Sequence, residues 1–497
     1  MRLRAALLFC AALALPQGGA AQMVPTHSRP VGAGPSPTLE AKIRAALYTP
    51  ALLGTRWGLE VEDRDGHVIA SINSFDRFQP ASNTKVFVTT SVFDAMARGA
   101  FPNLGTQVRL ERHARGAPDV ALIGRGDAML SDRTDCTRDC LSQLADAVAA
   151  SGVKRVGDVI GDDTFMPFER WVLSGRLRPG TRTIMSALTL NDNEFSILVR
   201  PAATQGAPAS VDMPDLAPET DVMNEIATTQ AGTRAEVHAD MIPGERKIRL
   251  FGTMPLGGKA ETLHFDVDDP ADFAAIRFAR LLRARGITVT GTVRPRHAPT
   301  STGNLMATAP AAPETPALAT LTPPDVVDDL TLTAKQSQNL HAHLFLKKLA
   351  LSQGLMPSTP AGLSILRANL DRAGLPRWSY DFYDGSGLSP DNRITPQAMV
   401  QYLHWVDAQP WAAQWYATLP VAGVDGTLSG RFKGTPLMGN LRAKTGTLLA
   451  ANALAGSFRA ASGKELIFAI YANDRPGSAP SVLPAMDAAL GIIAGEN

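Results

Sequence analysis

The sequence has little net charge and no long internal apolar run. Its 48 basic and 47 acidic side chains nearly cancel, which leaves a formal net charge of +1. We therefore expect no nucleic-acid partner, because a polyanion is bound by an excess of basic side chains. After the amino terminus, no apolar run reaches the ~18 residues of a membrane span, so we expect no transmembrane segment.

Cysteine is also scarce, with three residues in the chain. Cys10 lies within an amino-terminal segment that has a basic start, an apolar run and a small-residue cleavage site. This pattern is typical of a signal peptide over residues 1–21, so we expect an exported protein that is soluble once the peptide is removed. In an oxidising compartment the remaining pair, Cys136 and Cys140, predicts a local disulfide. We expect no metal site there, because no second cysteine pair or histidine cluster lies nearby.

The tetrapeptide Ser-Asn-Thr-Lys at 82–85 precedes an apolar run that predicts a buried helix. Residues three apart share a helix face, which places the Ser82 hydroxyl within reach of the Lys85 amine. A hydroxyl is a weak nucleophile until a base takes its proton, and a buried amine can be that base. Taken alone, Ser82 is better explained as a helix N-cap. A second Ser-x-x-Lys begins at Ser151, but the helix-breaking Gly152 spoils its geometry.

Two further motifs supply the other groups of a serine acyl-transfer site. Ser337 and Asn339 lie in a stretch of helical character, and Lys444-Thr445-Gly446 lies on a predicted strand. A Lys-Thr-Gly tripeptide is expected only about 0.06 times by chance in this length. Its glycine leaves the strand edge bare, so that a substrate backbone can pair alongside. Each motif could be polar surface, but all three in this order are poorly explained by chance.

Ser-x-x-Lys, a Ser-x-Asn motif and Lys-Thr-Gly together are the signature of penicillin-binding proteins and class A β-lactamases, and the sequence resembles that superfamily. Within it, the chain resembles the D-alanyl-D-alanine carboxypeptidase/endopeptidase branch of low-molecular-mass penicillin-binding proteins, of class C and type 4-like. That branch carries a long insertion between its first two motifs. The stretches 190–193, 384–389 and 419–428 are also similar to this family. One departure is Gln338, where the family usually has aspartate.

The resemblance implies an α+β fold, with a penicillin-binding/β-lactamase-like antiparallel sheet flanked by helices and split by a long mixed insertion. Residues 22–98 and 306–497 are expected to form the DD-peptidase (transpeptidase-like) domain. Residues 99–305 are expected to form the inserted α+β part, with a smaller domain nested within a second. Periodicity further predicts one helical stretch over 325–352, a helix over 396–407, and strands over 184–190 and 287–293.

The resemblance also implies catalytic roles. Ser82 is the expected nucleophile and Lys85 its base. Ser337, with Lys444 nearby, is expected to relay a proton to the leaving amine, while Asn339 orients Lys85 and the substrate amide. No cofactor is expected.

Substrate contacts follow from the same resemblance. Thr445, Gly446 and Thr447 are expected to bind the substrate and its terminal carboxylate, and the backbone N–H groups of Ser82 and Thr447 to form the oxyanion hole. Asp163 lies where the family has an acidic residue facing the amino group of the stem peptide's third residue; an aspartate capping a loop turn explains it as well. The implied partners are peptidoglycan stem peptides, with β-lactams as covalent inhibitors, and the implied location is the periplasm.

The absence of one glutamate argues against a β-lactamase. Class A β-lactamases use a glutamate between the second and third motifs to activate the deacylating water, yet no glutamate occurs between Ser337 and Lys444. A penicillin is therefore expected to acylate Ser82 and to remain there. An esterase or amidase could use the same Ser-Lys pair, and a non-enzymatic exported binding module could retain it as a degenerate site. The presence of every expected catalytic residue argues against the binding module.

Overall fold

A computed structural model of the protein describes residues 37–169, 185–213, 221–241, 247–298, 306–309 and 316–497. The predicted signal peptide, residues 1–21, lies outside these ranges. The described helices are α1 (Pro37–Leu47), α2 (Thr84–Ala97), α3 (Leu141–Ala150), α4 (Pro270–Ala284), α5 (Val326–Lys335), α6 (Asn339–Leu349), α7 (Thr359–Arg372), α8 (Pro396–Asp407), α9 (Ala412–Thr418) and α10 (Leu483–Glu496). The described strands are β1 (Arg56–Asp63), β2 (Val68–Ile72), β3 (Gln107–Glu111), β4 (Asp119–Ile123), β5 (Arg155–Val156), β6 (Val159–Asp162), β7 (Glu194–Arg200), β8 (Ser210–Asp212), β9 (Asp221–Thr229), β10 (Glu236–Met241), β11 (Lys247–Pro255), β12 (Glu261–Asp266), β13 (Thr288–Val289), β14 (Val293–Arg296), β15 (Ala319–Thr320), β16 (Tyr380–Asp381), β17 (Arg393–Ile394), β18 (Arg442–Leu448), β19 (Ala451–Arg459) and β20 (Glu465–Asn473).

A five-stranded antiparallel sheet joins the two ends of the chain, in the order β18-β19-β20-β1-β2. Strand β20 is buried along nearly its whole length because helices cover both of its faces. On one face, Ile43 of α1 and Leu490 of α10 pack with Leu59 and Phe468 of the sheet. On the other face, α2 and the helices from α5 to α9 form a second core. Strand β18 lies at the edge of this sheet, with β19 as its neighbour.

Helix α2 passes through the second core and is buried on almost every side from Thr84 to Ala95. Its apolar residues are spread around the circumference and not gathered on one face, which is the pattern of a core helix and not of a surface helix. The residues that precede it are therefore held firmly against the sheet. They include Ser82.

The chain between α2 and α5 forms separate sheets. Strands β14-β6-β4-β3-β15 make a mixed five-stranded sheet. The chain between β6 and β14 forms two three-stranded sheets, β12-β7-β8 and β10-β11-β9. One hydrophobic core, which includes Val120, Phe195, Leu250 and Phe278, runs through these elements. The expected domain limits at 98/99 and 305/306 remain a prediction, and β15 returns to pair with β3 before the chain enters α5.

The α+β fold class is confirmed, as are the helix over 396–407 and the disulfide between Cys136 and Cys140. The strand expected over 184–190 is wrong, because the described residues there form only a single bridge, from Leu188 to Asp127. The stretch 287–293 does not form one strand: it holds the two-residue β13 and only the first residue of β14. Between them Gly291 lies so close to Asp158 that any side chain would collide with its backbone.

The helical stretch expected over 325–352 is two helices, α5 and α6. The chain breaks between them at Ser337, which has a φ of 63°. A helical pattern cannot anticipate this break, because left-handed backbone in a residue other than glycine is set by tertiary contacts. In the described part of the chain, none of the helices combines the length and the apolar character needed to cross a bilayer.

Candidate active site

Ser82 lies in a short 3-10 turn, Ala81–Asn83, that leads directly into α2. The sequence predicts Ser82 at the start of the helix, and the structure places it just before α2, one residue before the N-cap Asn83. Two glycines allow other segments to approach this turn. A Cβ on Gly387 would lie 1.9 Å from the Ala81 carbonyl oxygen, and a Cβ on Gly446 would lie 2.5 Å from that of Pro80. The glycine of the third motif is therefore needed for packing against the Ser82 turn as well as for a bare strand edge.

Lys85 is fully buried and its amine has three polar neighbours. Its Nζ lies 2.9 Å from Ser82 Oγ, 2.8 Å from Asn339 Oδ1 and 2.6 Å from the carbonyl oxygen of Ser386. Burial lowers the pKa of Lys85 to about 7, although the negative charge of Asp384 acts in the opposite direction. A substantial fraction of this amine is neutral near pH 7, so it can accept the proton of Ser82.

A second serine-lysine pair joins the other two motifs. Lys444 Nζ donates hydrogen bonds to Ser337 Oγ and to the carbonyl oxygen of Thr445, each at 3.0 Å. Burial, and then the nearby charge of Lys85, hold the pKa of Lys444 well below its ordinary value. The two lysines are thus coupled, and protonation of one disfavours protonation of the other.

Strand β18 presents the third motif at the edge of the sheet. Thr445 Oγ1 lies 2.7 Å from Thr427 Oγ1, and Asn452 Nδ2 donates to Thr447 Oγ1 at 3.2 Å. Both threonine hydroxyls are thus held by neighbours, beside the Lys444 amine. Hydroxyl and amine donors grouped in this way suit a carboxylate.

Several supporting residues have no role predicted from the sequence. Asp384 is fully buried, and its carboxylate accepts backbone N–H bonds from Gly387 and Ser389. It fixes the loop whose Ser386 carbonyl contacts Lys85. Asn83 Nδ2 donates to the carbonyl oxygen of Lys444 at 2.6 Å and so ties the Ser82 turn to β18. The similarity of 384–389 to the family is the one sequence signal that could have drawn attention to the loop.

Asp163 lies in the insertion, just after β6, and is buried. Ser186 Oγ donates to its Oδ2 at 2.9 Å, and His297 Nδ1 lies 3.0 Å from its Oδ1. Hydrogen bonds to Asp163 and Asp269 raise the pKa of His297 to about 10. The hydrogen bonds that the described residues make to Asp163 thus come from the insertion and not from the Ser82–Lys85 group.

Ser151 shows no comparable arrangement. Its hydroxyl donates to the carbonyl of Val148 at the end of α3, and the following Gly152 has a φ of 83°. Both Ser151 and Lys154 are exposed. These surroundings agree with the prediction that the second Ser-x-x-Lys tetrapeptide does not form a site.

A serine hydroxyl in contact with a buried lysine of lowered pKa, faced by a second serine-lysine pair and an open strand edge, defines an acyl-transfer enzyme with a serine nucleophile. Residues 39–491 match the model of the D-Ala-D-Ala carboxypeptidase 3 (S13) family. The chain belongs to this family. Membership confirms the family expected from the motifs and the serine-type D-Ala-D-Ala carboxypeptidase activity that they imply.

Relatives agree with the family, and solved structures agree with the fold. A D-alanyl-D-alanine carboxypeptidase from Actinomadura sp. (strain R39) is 32% identical over 462 residues, which cover 89% of this chain and 82% of the relative. The D-alanyl-D-alanine carboxypeptidase DacB of Haemophilus influenzae is 25% identical over 348 residues, or 68% of this chain and 70% of the relative. The crystal structure of penicillin binding protein 4 (dacB) from Haemophilus influenzae superimposes with a TM-score of 0.74 at 21% identity, covering 90% of this chain and 97% of that one. A second structure of that protein, complexed with a novel β-lactam, gives a TM-score of 0.70 at 21% identity, with the same shares covered.

Proposed function

We propose that the protein removes the terminal D-alanine from peptidoglycan stem peptides through an acyl-enzyme on Ser82, and that it also cleaves cross-links of related shape. The observation that carries this proposal is the contact between Ser82 Oγ and the Lys85 amine, at 2.9 Å. A base of pKa about 7 is well matched to general-base catalysis at neutral pH.

In the first step, Lys85 takes the proton of Ser82 while Oγ attacks the carbonyl carbon of the penultimate D-alanine. The oxyanion is held by the backbone N–H groups of Ser82 and Thr447. Asn339 keeps the Lys85 amine directed at Ser82 and is placed to contact the substrate amide. Three neighbours around one amine leave it little freedom, which supports a positioned base.

In the second step, the peptide C–N bond breaks and the leaving amine takes a proton from Ser337, which is replenished through Lys444. The 3.0 Å bond between these two residues supports this relay. Water then attacks the acyl carbon and gives its proton back to the Ser337–Lys444 pair, while the bond between the acyl carbon and Ser82 Oγ breaks and Lys85 returns its proton to Oγ.

Strand β18 binds the substrate in this proposal. The stem peptide pairs along its open edge beside Gly446, and the terminal carboxylate contacts the hydroxyls of Thr445 and Thr447 near the Lys444 amine. A β-lactam takes the same place. Opening its amide leaves the ring amine attached to the acyl group, so that it does not vacate the site for the water that hydrolyses a peptide acyl-enzyme. Release is therefore slow, and no glutamate lies between Ser337 and Lys444 to activate another water.

Two further assignments are part of the proposal. The protein acts in the periplasm, as its substrate and the predicted leader over 1–21 imply. Asp163 faces the amino group of the stem peptide's third residue, since a carboxylate that accepts two hydrogen bonds keeps lone pairs for an amine. Asp163→Asn should reduce the preference for free-amino over N-acetylated substrates. An unchanged preference would remove Asp163 from the binding site.

The activity is tested by measuring D-alanine release from a pentapeptide ending in D-Ala-D-Ala. Ser82→Ala should abolish release, whereas Ser151→Ala, a matched change in the second Ser-x-x-Lys, should leave it unchanged. Hydrolysis of simple esters or amides without D-alanine release would support an esterase or amidase instead. The endopeptidase activity is tested by incubating a dimeric cross-linked muropeptide with the enzyme and separating dimer from monomers by chromatography. Survival of the dimer would exclude this activity.

A further inference from the structure

His341 is a fully buried histidine that lies between two carboxylates. It belongs to the first turn of α6, two residues after Asn339. Its Nδ1 is 2.6 Å from Oδ1 of Asp329, on α5, and its Nε2 is 2.7 Å from Oδ1 of Asp192, in the insertion. A neutral imidazole has one donor and one acceptor nitrogen, so it cannot donate to both carboxylates. The imidazolium, which donates from both nitrogens, satisfies this arrangement.

The contact with Asp329 spans the break between α5 and α6. Ser337 stands in that break with a left-handed φ of 63°, and Asn339 begins α6 directly after it. Their partners, Lys444 and Lys85, come from other parts of the chain. The positions of both proposed catalytic side chains therefore depend on how α6 is set relative to α5.

The contact with Asp192 comes from an unusual turn. Asn191, Asp192 and Asn193 all have positive φ values, of 50°, 60° and 58°. L residues seldom adopt this conformation one after another, although aspartate and asparagine tolerate it best. The turn directs the Asp192 carboxylate onto His341.

Neighbouring contacts fix this turn within the insertion. Asn191 Oδ1 accepts from Ser131 Oγ at 3.0 Å, and its Nδ2 donates to Asp132 at 2.7 Å. The backbone N–H of Val267 donates to the carbonyl of Asn193 at 2.9 Å. The Asp192 carboxylate is thus presented from a rigid part of the insertion.

The next residues of α6 also face the insertion. Leu340 and Leu344 pack into a small apolar cluster with the insertion residues Ala128, Met166 and Met185. The apolar contact holds α6 against the insertion, but it does not fix rotation about the helix axis as two directional ionic bonds can. The ionic bonds are therefore directional contacts that help to set the direction of the Asn339 side chain.

We propose that Asp192 is a positioning residue for the peptidase reaction: through the doubly bonded His341 it locks the first turn of α6 against α5 and the insertion, and so holds Ser337 and Asn339 against their lysines. This rests on the catalytic roles given to Ser337 and Asn339 under the proposed function. It gives the insertion a part in catalysis without contact with the reacting atoms.

Two substitutions distinguish the role of the Asp192 carboxylate from that of the backbone turn. Asp192→Gly removes the side chain but keeps the left-handed turn accessible. Asp192→Asn keeps one hydrogen-bond acceptor for His341 and removes the charge. Asp328→Asn is the matched control. Asp328 neighbours Asp329 on α5 and joins the insertion through an exposed ion pair with Arg138 at 3.4 Å, away from His341.

The measurement is acylation of each full-length variant by a chromogenic or fluorescent penicillin, which gives both the rate constant and the final moles of label per mole of protein. Asp192→Gly should acylate about 10- to 100-fold more slowly, as expected for a misplacement of catalytic groups on the order of 1 Å. Its final stoichiometry should still be one label per chain. The acylation rate of Asp192→Asn should lie between those of Asp192→Gly and the wild type, and the rate of Asp328→Asn should match the wild type.

A merely structural role gives a different result. In that case the stoichiometry of Asp192→Gly falls in proportion to the unfolded fraction, and the fraction that labels does so at the wild-type rate. A wild-type acylation rate in Asp192→Gly would therefore overturn the proposal. An equal loss of acylation rate in Asp328→Asn would overturn it as well. Ser82→Ala is run beside these variants. If it still labels, the proposed function itself fails, whatever the Asp192 variants show.

Discussion

Asn83 Nδ2 donates a hydrogen bond to the carbonyl oxygen of Lys444 at 2.6 Å, so the residue next to the nucleophile is tied to the third motif. Asn83 is fully buried and comes from the turn before α2, whereas Lys444 lies on β18. The bond fixes the distance between the Ser82 turn and the strand proposed to bind the substrate. Nucleophile and binding edge are therefore one rigid unit.

Replacing Asn83 by alanine should slow acylation and destabilise the protein. The change leaves the Lys444 carbonyl without this donor in a buried setting, which costs about 1–3 kcal/mol. Denaturant unfolding measures the stability, and the penicillin acylation rate measures the site. Asn440→Ala is the control, because Asn440 Nδ2 also donates to a backbone carbonyl, that of Arg459, in a bond that does not involve the Ser82 turn. A loss of stability without slower acylation in Asn83→Ala would contradict the role of this bond.

The acylation rate should rise with pH through about 7, because the neutral form of Lys85 is the base and burial lowers the pKa of Lys85 to about 7. The negative charge of Asp384 opposes that lowering. Removing it in Asp384→Asn should move the rise to lower pH. The pH profile of acylation is the measurement, with Asp391→Asn, an exposed residue of the same loop, as the control. A rise that does not move, or that moves to higher pH, would count against Lys85 as the base.

Gly387→Ala should destabilise the protein by about 1–3 kcal/mol more than a comparable glycine substitution elsewhere. Gly387 has a φ of 89°, and a Cβ there would meet the Ala81 carbonyl oxygen at 1.9 Å. Gly463 has the same φ of 89° with open space around it, so Gly463→Ala carries the backbone strain alone. Thermal unfolding of the two variants separates the two effects. Equal losses would show that the close approach to the Ser82 turn is not required.

Thr427→Val should raise KM for a D-Ala-D-Ala peptide about 3- to 10-fold, with little change in stability. The Thr427 hydroxyl lies 2.7 Å from that of Thr445, and one neutral hydrogen bond is worth about 1 kcal/mol. The valine keeps the shape but no longer orients the Thr445 hydroxyl toward the proposed carboxylate position. Steady-state kinetics measures this. A fall in kcat at constant KM would place Thr427 in the chemical step instead.

The contact between Ser82 and Lys85 could be predicted because both residues belong to one local turn, where a spacing of three fixes their separation. Helix α8 could likewise be predicted over 396–407, since apolar periodicity and the Pro396 start coincide. The other contacts of the Lys85 amine could not be predicted. The Ser386 carbonyl reaches it from a distant loop, and no local pattern encodes that contact.

The residues with a left-handed backbone also depend on contacts that are distant in sequence. Ser337 and the three residues from 191 to 193 have positive φ values, although none of them is glycine, so the residue type does not predict this conformation. Tertiary contacts, such as the bond from Lys444 to Ser337 and those around Asn191, hold them there. At Ser337 the left-handed backbone marks the break between α5 and α6, and helical periodicity passes through that break unmarked.

The central claim is that Ser82 is the acylated nucleophile and that its acyl-enzyme persists. The most direct test is incubation of the full chain with a penicillin, followed by proteolysis and mass mapping of the modified peptide over time. We predict one penicilloyl group on Ser82, stable long after free penicillin is removed, and no modification of Ser82→Ala. Labelling that maps to Ser151, that survives Ser82→Ala, or that is lost as rapidly as it forms would contradict this claim.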